Sequence, residues 1–193
     1  MINILIAGVG GQGSLLASRV IGRLFTSQGF VVKMSEVHGM SQRGGSVVTY
    51  VRADRERVSS PLIEKGDADI LLGFEGLEGV RWLPYLKEGG AAVVNLQPIL
   101  PMPVISGAAD YPSDVPGKIR AVCANAILVD ALALALEAGS VKAVNTVVIG
   151  AASAAIGFAE KDWKEAITHC VKERFVDLNL AAFDKGRKAA SPD

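Results

Sequence analysis

Cysteine is nearly absent from this chain: Cys123 and Cys170 are the only two among 193 residues, far apart and each set in apolar sequence. Two such thiols supply neither the four thiolates an iron–sulfur cluster takes nor those of a zinc ribbon, and they read as buried free thiols in a reducing compartment. Aromatics are scarce as well, at 6% of residues, although half of the chain is hydrophobic. The core must therefore be built from Val, Ile, Leu and Ala, a profile that suits α/β layers. Neither sign of charge is in excess, since Lys plus Arg and Asp plus Glu stand at 20 each without a run of like charge. That balance excludes the footprint of a nucleic-acid binder and a polybasic membrane anchor, leaving proteins and small molecules as partners. Long hydrophobic runs are missing too. The longest, Val144 to Phe158, contains Asn145, Thr146 and Ser153 and falls short of a bilayer span. No charged leader with an apolar core precedes the first strand, so a soluble, cytoplasmic protein is expected.

What the chain does have is glycine, placed where it matters. Residues Met1 to Gly13 read MINILIAGVGGQG. Ile2, Ile4, Leu5, Ile6 and Ala7 form the apolar run of a strand buried on both faces of a parallel sheet. Gly8, Gly10 and Gly13 follow in G-x-G-x-x-G spacing, with Gly11 beside them, and Ser14 to Gln28 then reads as a helix with Leu15, Leu16, Ser18, Val20, Ile21, Leu24 and Phe25 on its apolar side. Strand, tight turn and helix in this order are a Rossmann-like opening. The glycines turn the chain, let backbone approach a ligand and let helix pack on strand, while the helix amino terminus offers unpaired N–H groups to an anion. The same glycines serve close helix packing equally well with no ligand at all. Glu36 stands near where an acid would take a nicotinamide dinucleotide's ribose.

The rest of the chain continues the α/β pattern within one expected domain, residues 1–186, followed by a frayed tail, 187–193. Phe30 to Ser35 is read as a second strand completing a right-handed βαβ unit. Ser46 to Arg52 is a further strand, paired antiparallel with Arg57 to Ser59 for want of a helix between them. Asp69 to Phe74 is a buried strand, Leu77 to Leu86 a short helix and Ala91 to Asn95 the next strand. Five of the eight prolines fall between Gln97 and Pro116, which makes that segment extended and irregular, an excursion over the surface or toward a partner. Beyond it, Asp130 caps a helix from Ala131 to Ala138 after a strand at Ala126 to Val129, or else one helix runs from Ala121 to Ala138; periodicity supports both. Helices are read at Val141 to Gly157, Lys161 to Arg174 and Val176 to Lys185, the first with an Ala, Gly and Ser face suited to close packing against another helix. The fold class is α/β: a Rossmann-like, mostly parallel sheet with helices on both faces, one antiparallel strand pair and a helical C-terminal part.

A second motif, SEVHGMSQRGG over Ser35 to Gly45, lies in a polar loop at the carboxyl end of the second strand, beside the glycine turn. Open α/β sheets place ligands there. His38 brings a titratable ring, Gln42 amide groups, Arg43 a guanidinium for a phosphate or carboxylate, and Gly44 and Gly45 allow close backbone approach. The alternative is an ordered loop or subunit contact in which His38 and Arg43 only form hydrogen bonds.

With GVGGQG near the amino terminus, SEVHGMSQRGGSVVTYVR, SPLIEKGDADILLGFEGLEGVRWLPYL, AAVVNLQPILP and AVNTVVIGA in order over nearly the whole chain, the sequence resembles the beta subunit of indolepyruvate ferredoxin oxidoreductase. That is the small-subunit form of the gamma domain of 2-oxoacid:ferredoxin oxidoreductases. The resemblance implies a complex that decarboxylates an aryl 2-oxoacid, transfers the acyl group to coenzyme A and passes two electrons to ferredoxin. It places thiamine diphosphate, magnesium and the iron–sulfur clusters on a large catalytic alpha subunit, with coenzyme A as a co-substrate whose contacts on this chain are expected at Gly8 to Gly13 and His38 to Gly45. No cofactor is expected on this chain alone, and the isolated chain is expected to be inactive.

Three other classes compete. A free-standing NAD(P)-dependent oxidoreductase needs a proton relay that His38, His169 and three tyrosines do not assemble. An adenylate-forming activating enzyme needs acidic magnesium ligands and an acceptor cysteine at spacings absent here. A pure interaction protein would self-associate through the Ala/Gly-rich helix.

Overall fold

The computed structural model describes residues 1–39 and 44–190. In chain order the elements are β1 (Ile2–Val9), α1 (Ser14–Ser27), β2 (Val31–His38), β3 (Ser46–Asp54), β4 (Ala68–Gly73), α2 (Gly76–Trp82), β5 (Leu86–Asn95), α3 (Met102–Ile105), α4 (Val115–Val122), β6 (Ile127–Val129), α5 (Ala131–Glu137), α6 (Val144–Ile156), α7 (Glu160–Cys170) and α8 (Val176–Ala190). One six-stranded sheet orders them β2-β3-β1-β4-β5-β6. β1, β4, β5 and β6 run parallel, whereas β3 is antiparallel to both of its neighbours.

The βαβ expectation needs correction on this point. β2 does run in the direction of β1, but β3 is inserted between them, pairing Leu5 with Tyr50 on one side and Met34 with Val51 on the other. β2 and β3 are joined without a helix, so the chain can only return antiparallel. Arg57 to Ser59 is not the partner of β3; its antiparallel mates are β1 and β2, and Val58 is instead buried in a loop.

Alternation along each strand divides the core in two. Ile4, Ile6, Val51, Ile70, Leu72 and Val93 face the layer of α1, α5, α6, α7 and α8, while Leu5, Ala7, Val48, Tyr50, Leu71 and Val94 face α2 and α4. Both faces of β1 are thus apolar because both are covered. α1 buries Ala17, Ser18, Val20, Ile21, Leu24 and Phe25, but Leu15, expected on that side, is 47% exposed. The scarce aromatics are concentrated: Phe25 meets Phe30 and Phe158 edge to face at centroid distances of 5.2 and 5.3 Å, a geometry favoured by the ring quadrupole. Trp163 is wholly buried, and its indole N–H donates to the Gly157 carbonyl at 2.7 Å.

The two alternatives around Asp130 separate cleanly: β6 precedes α5, and the Asp130 carboxylate accepts from Ala133 N at 3.0 Å as its N-cap. The prolines after Gln97 do give irregular chain, relieved by the single turn of α3. α8 continues to Ala190, past its expected end at Lys185 and into the stretch expected to fray. The reason is packing. The small residues of α6 receive α8 so closely that a Cβ on Gly186 would overlap the Val147 carbonyl and one on Gly150 would overlap that of Phe183. The Ala/Gly/Ser face is therefore consumed inside the chain, and self-association through it is corrected.

Candidate functional site

The carboxyl ends of β1, β4 and β5 are laced together at one carbonyl. Gln12, inside the glycine turn, accepts from Val9 N through Oε1 at 2.8 Å and donates through Nε2 to Phe74 O at 2.7 Å. Asn95, fully buried at the end of β5, donates to the same Phe74 oxygen at 3.1 Å and accepts from Ala131 N, the first residue of α5, at 3.1 Å. Each parallel strand thereby delivers its turn to a common edge.

Gly13 is the N-cap of α1 with φ of 84°, and it brings no capping side chain; the first turn of α1 carries no acid either. A Cβ at Gly13 would come within 2.5 Å of Asn145 Nδ2, so glycine is required both by its backbone and by the approach of α6. Among the described residues no side chain caps this amino terminus at the sheet's carboxyl edge, and an uncapped helix start favours anions. Beside it lies a crevice of about 230 Å³ bordered by Gly11, Gln12, Gln97, Leu132, Lys142 and Asn145. Lys142 is the one charged side chain on it among the described residues.

Of the residues picked out by sequence, Gly8, Gly10, Gly11 and Gly13 form this turn. Gly10 N donates to Gly45 O at 2.9 Å, which joins it to the second motif at the start of β3. Gly44 has φ of 74° in the connecting loop. Gln42 and Arg43 lie outside the described residues. His38 ends β2 with its ring 56% exposed and Nε2 3.1 Å from Glu36 Oε1; it does not border the crevice. Glu36 Oε2 accepts from Ser14 Oγ at 3.2 Å and Thr49 Oγ1 at 2.9 Å. The acid that a dinucleotide ribose would need is thus committed to α1, β3 and His38.

Gln12 and Asn95 were not singled out by motif, nor was the acidic pair below the edge. Glu75, 1% exposed, caps α2 by accepting from Glu78 N at 2.8 Å and also takes hydrogen bonds from Tyr111 Oη at 2.5 Å and Ile99 N at 3.1 Å. Burial, then the hydrogen bond and charge of Glu75, push the Tyr111 hydroxyl well above its ordinary pKa. Glu78 accepts from Ser46 Oγ and from Arg81, each at 2.5 Å. The one sequence signal for this network is E-x-x-E directly after an apolar strand, a helix-start pattern. It organises the proline-rich segment rather than offering chemistry, because every carboxylate oxygen in it is occupied.

The donor set does not fit a resident metal or cluster. Cys123 and Cys170 are free thiols, and no three His, Cys, Asp or Glu side chains converge among the described residues. The arrangement offers the backbone N–H groups at the start of α1 and the Lys142 ammonium, donors of the kind that suit an anion.

A parallel sheet extended by an antiparallel strand, with helices on both faces and a glycine turn at its carboxyl edge, defines a Rossmann-like α/β protein. Over residues 3–189 the chain matches the family model of pyruvate ferredoxin/flavodoxin oxidoreductase, and it belongs to that family. It is 42% identical over 200 residues to "Indolepyruvate oxidoreductase subunit IorB" of Thermococcus kodakarensis, an alignment spanning 97% of this chain and 95% of the relative. Its fold matches the gamma subunit of a keto/oxoacid ferredoxin oxidoreductase from Geobacter sulfurreducens with a TM-score of 0.72 at 23% identity, covering 98% of each chain. It also matches the 2-oxoglutarate:ferredoxin oxidoreductase of Magnetococcus marinus, solved with 2-oxoglutarate, coenzyme A and succinyl-CoA bound, with a TM-score of 0.74 at 24% identity. That match covers 98% of this chain but 31% of that one. The fold thus occurs both as a separate chain and as part of a larger one.

Proposed function

We propose that this chain is the small subunit of a cytoplasmic indolepyruvate:ferredoxin oxidoreductase, working with a large alpha subunit that carries thiamine diphosphate, magnesium and the iron–sulfur clusters. The complex converts an aryl 2-oxoacid carboxylate, coenzyme A and two oxidised ferredoxins to the aryl acyl-CoA, carbon dioxide, two reduced ferredoxins and one proton. The carbon–carbon bond to the carboxylate breaks, the thioester forms, and the electron pair leaves one electron at a time to ferredoxin.

The near-full-length similarity to IorB carries this reading. This subunit's part is to hold coenzyme A. The open terminus of α1 at Gly10 to Gly13 and the ammonium of Lys142 suit the phosphates, with His38, Gln42, Arg43, Gly44 and Gly45 supplying the adjoining loop. No described helix is long and apolar enough to cross a membrane. Anaerobic co-expression with the large subunit tests the assignment. Co-elution, with ferredoxin reduction by indolepyruvate and coenzyme A only in the joint fraction, is the expected result, and a lone species that retains NAD refutes it.

A further inference from the structure

A second cavity, of about 290 Å³, opens behind the glycine turn between α1, the turn before α6, the end of α7 and the start of α8. Leu16, Cys170, Val171, Phe175 and Leu178 make its walls apolar. Its two uncharged polar side chains are already engaged: Ser140 Oγ accepts from Lys142 N at 3.2 Å, and Asn179 donates to Phe175 O at 2.8 Å while accepting from Thr146 Oγ1 at 2.6 Å. Two further groups on its border are not. Lys142 and Lys172 have no carboxylate partner among the described residues, and neither do Arg19 and Arg23 on the adjoining helix. The nearby acids Glu173 and Asp177 do not line the cavity.

We propose that this cavity is a binding site for a small aromatic monocarboxylate, its ring among Leu16, Phe175 and Leu178 and its carboxylate between Lys142 and Lys172. The volume lies at the lower limit of ordinary ligand sites, which admits a ring or fused ring pair and excludes a nucleotide. The apolar walls offer a polyphosphate no backbone cradle, while a neutral hydrocarbon would leave the two ammonium groups unmatched. An acid with one charged end and one apolar body satisfies both. Burial raises the Cys170 thiol, and the charges of Arg23 and Arg19 act against that rise, which sets two further cations beside this wall. Lys142 also borders the crevice at Gly11. A carboxylate in the cavity therefore competes for the cation that faces the crevice, and if coenzyme A is held there the two ligands weaken each other reciprocally.

The test titrates the full-length chain with phenylacetate, phenylacetamide and acetate, following the side-chain NMR signals of Leu16, Phe175 and Leu178. Saturable shifts at these three residues with phenylacetate are expected, with both other probes at least about tenfold weaker. Replacing both exposed lysines, K142Q with K172Q, should weaken phenylacetate by a similar factor at an unchanged Tm, and Leu178→Trp should abolish binding by filling the space. Equal affinity for phenylacetate and phenylacetamide, shifts centred elsewhere, or an undiminished response in the folded double variant overturns the proposal. The readout is binding to this chain without ferredoxin, so its failure is distinguishable from failure of the assignment to an oxidoreductase complex.

Discussion

Gln12 Nε2 and Asn95 Nδ2 donate to one acceptor, the Phe74 carbonyl, at 2.7 and 3.1 Å. Three strand ends are tied by this sharing, and Gln12 is the member that also fixes the glycine turn through Val9 N. Gln12→Leu keeps the volume but leaves the Val9 N–H without its side-chain partner, whereas the Phe74 oxygen retains Asn95. We expect a loss of about 0.5–1.5 kcal/mol of stability in urea unfolding, the net worth of a part-buried hydrogen bond. The KM for coenzyme A in the assembled complex should rise more than kcat falls. A variant with unaltered unfolding midpoint and KM would show that the turn holds its shape without this side chain.

Gly186→Ala places a methyl group into the Val147 carbonyl, and backbone on both helices must part to admit it. The small-residue face of α6 leaves no slack, so overpacking should cost about 1–3 kcal/mol or more. Gly66→Ala, with open space but φ of 82°, should cost about 1–2 kcal/mol through the left-handed backbone alone. Thermal unfolding of the two side by side separates steric from conformational cost. A Gly186→Ala protein as stable as wild type contradicts the close α6–α8 contact.

These two cases show what the sequence could convey. The alternating and continuous apolar runs of β1, β4 and β5 dictated buried parallel strands, and the Gly8 to Gly13 spacing located the tight turn between β1 and α1. The insertion of β3 between β1 and β2 was illegible, because neighbour order is decided by pairings such as Leu5 with Tyr50, 45 positions apart by residue number, which no local pattern encodes. Gln12 and Asn95 escaped for a related reason: one amide within a turn and one at a strand end carry no spacing signal until the fold brings both to Phe74. The end of α8 was misplaced since Gly186 reads locally as a helix stop, whereas Val147 on α6 turns it into a packing position.

Tyr111→Phe probes the buried acid below the edge. Removing the hydroxyl takes a 2.5 Å hydrogen bond from Glu75 and the acceptor of Leu77 N, leaving that carboxylate to Glu78 N and Ile99 N. About 1–3 kcal/mol of stability should be lost near neutral pH. The pH dependence has a definite sign. The folded-state pKa of Tyr111 is raised above its ordinary value of 10.0, so the folded protein keeps a proton that the unfolded chain releases. Its stabilising contribution is complete below that value and declines as pH climbs toward the folded-state pKa. Wild type should therefore lose stability more steeply than Tyr111→Phe above about pH 10, measured as unfolding midpoints across an alkaline series. Parallel curves for the two proteins would contradict the Glu75–Tyr111 linkage.

Among the described residues Glu36 is the negative charge joined to the start of α1, through Ser14 Oγ at 3.2 Å. In Glu36→Gln the amide oxygen can still accept from Ser14 and Thr49, but the charge that opposes an anion at the helix terminus is gone. A charge at a helix end is worth about 0.3–1 kcal/mol, so the KM for coenzyme A should fall by up to about fivefold, with the gain shrinking as salt is raised. The same change also removes the carboxylate that stands 3.1 Å from His38 Nε2. A rise in KM would mean that Glu36 orders the turn for binding more than it repels the ligand. An unchanged KM at low salt would place the phosphates of coenzyme A away from Gly10 to Gly13 altogether.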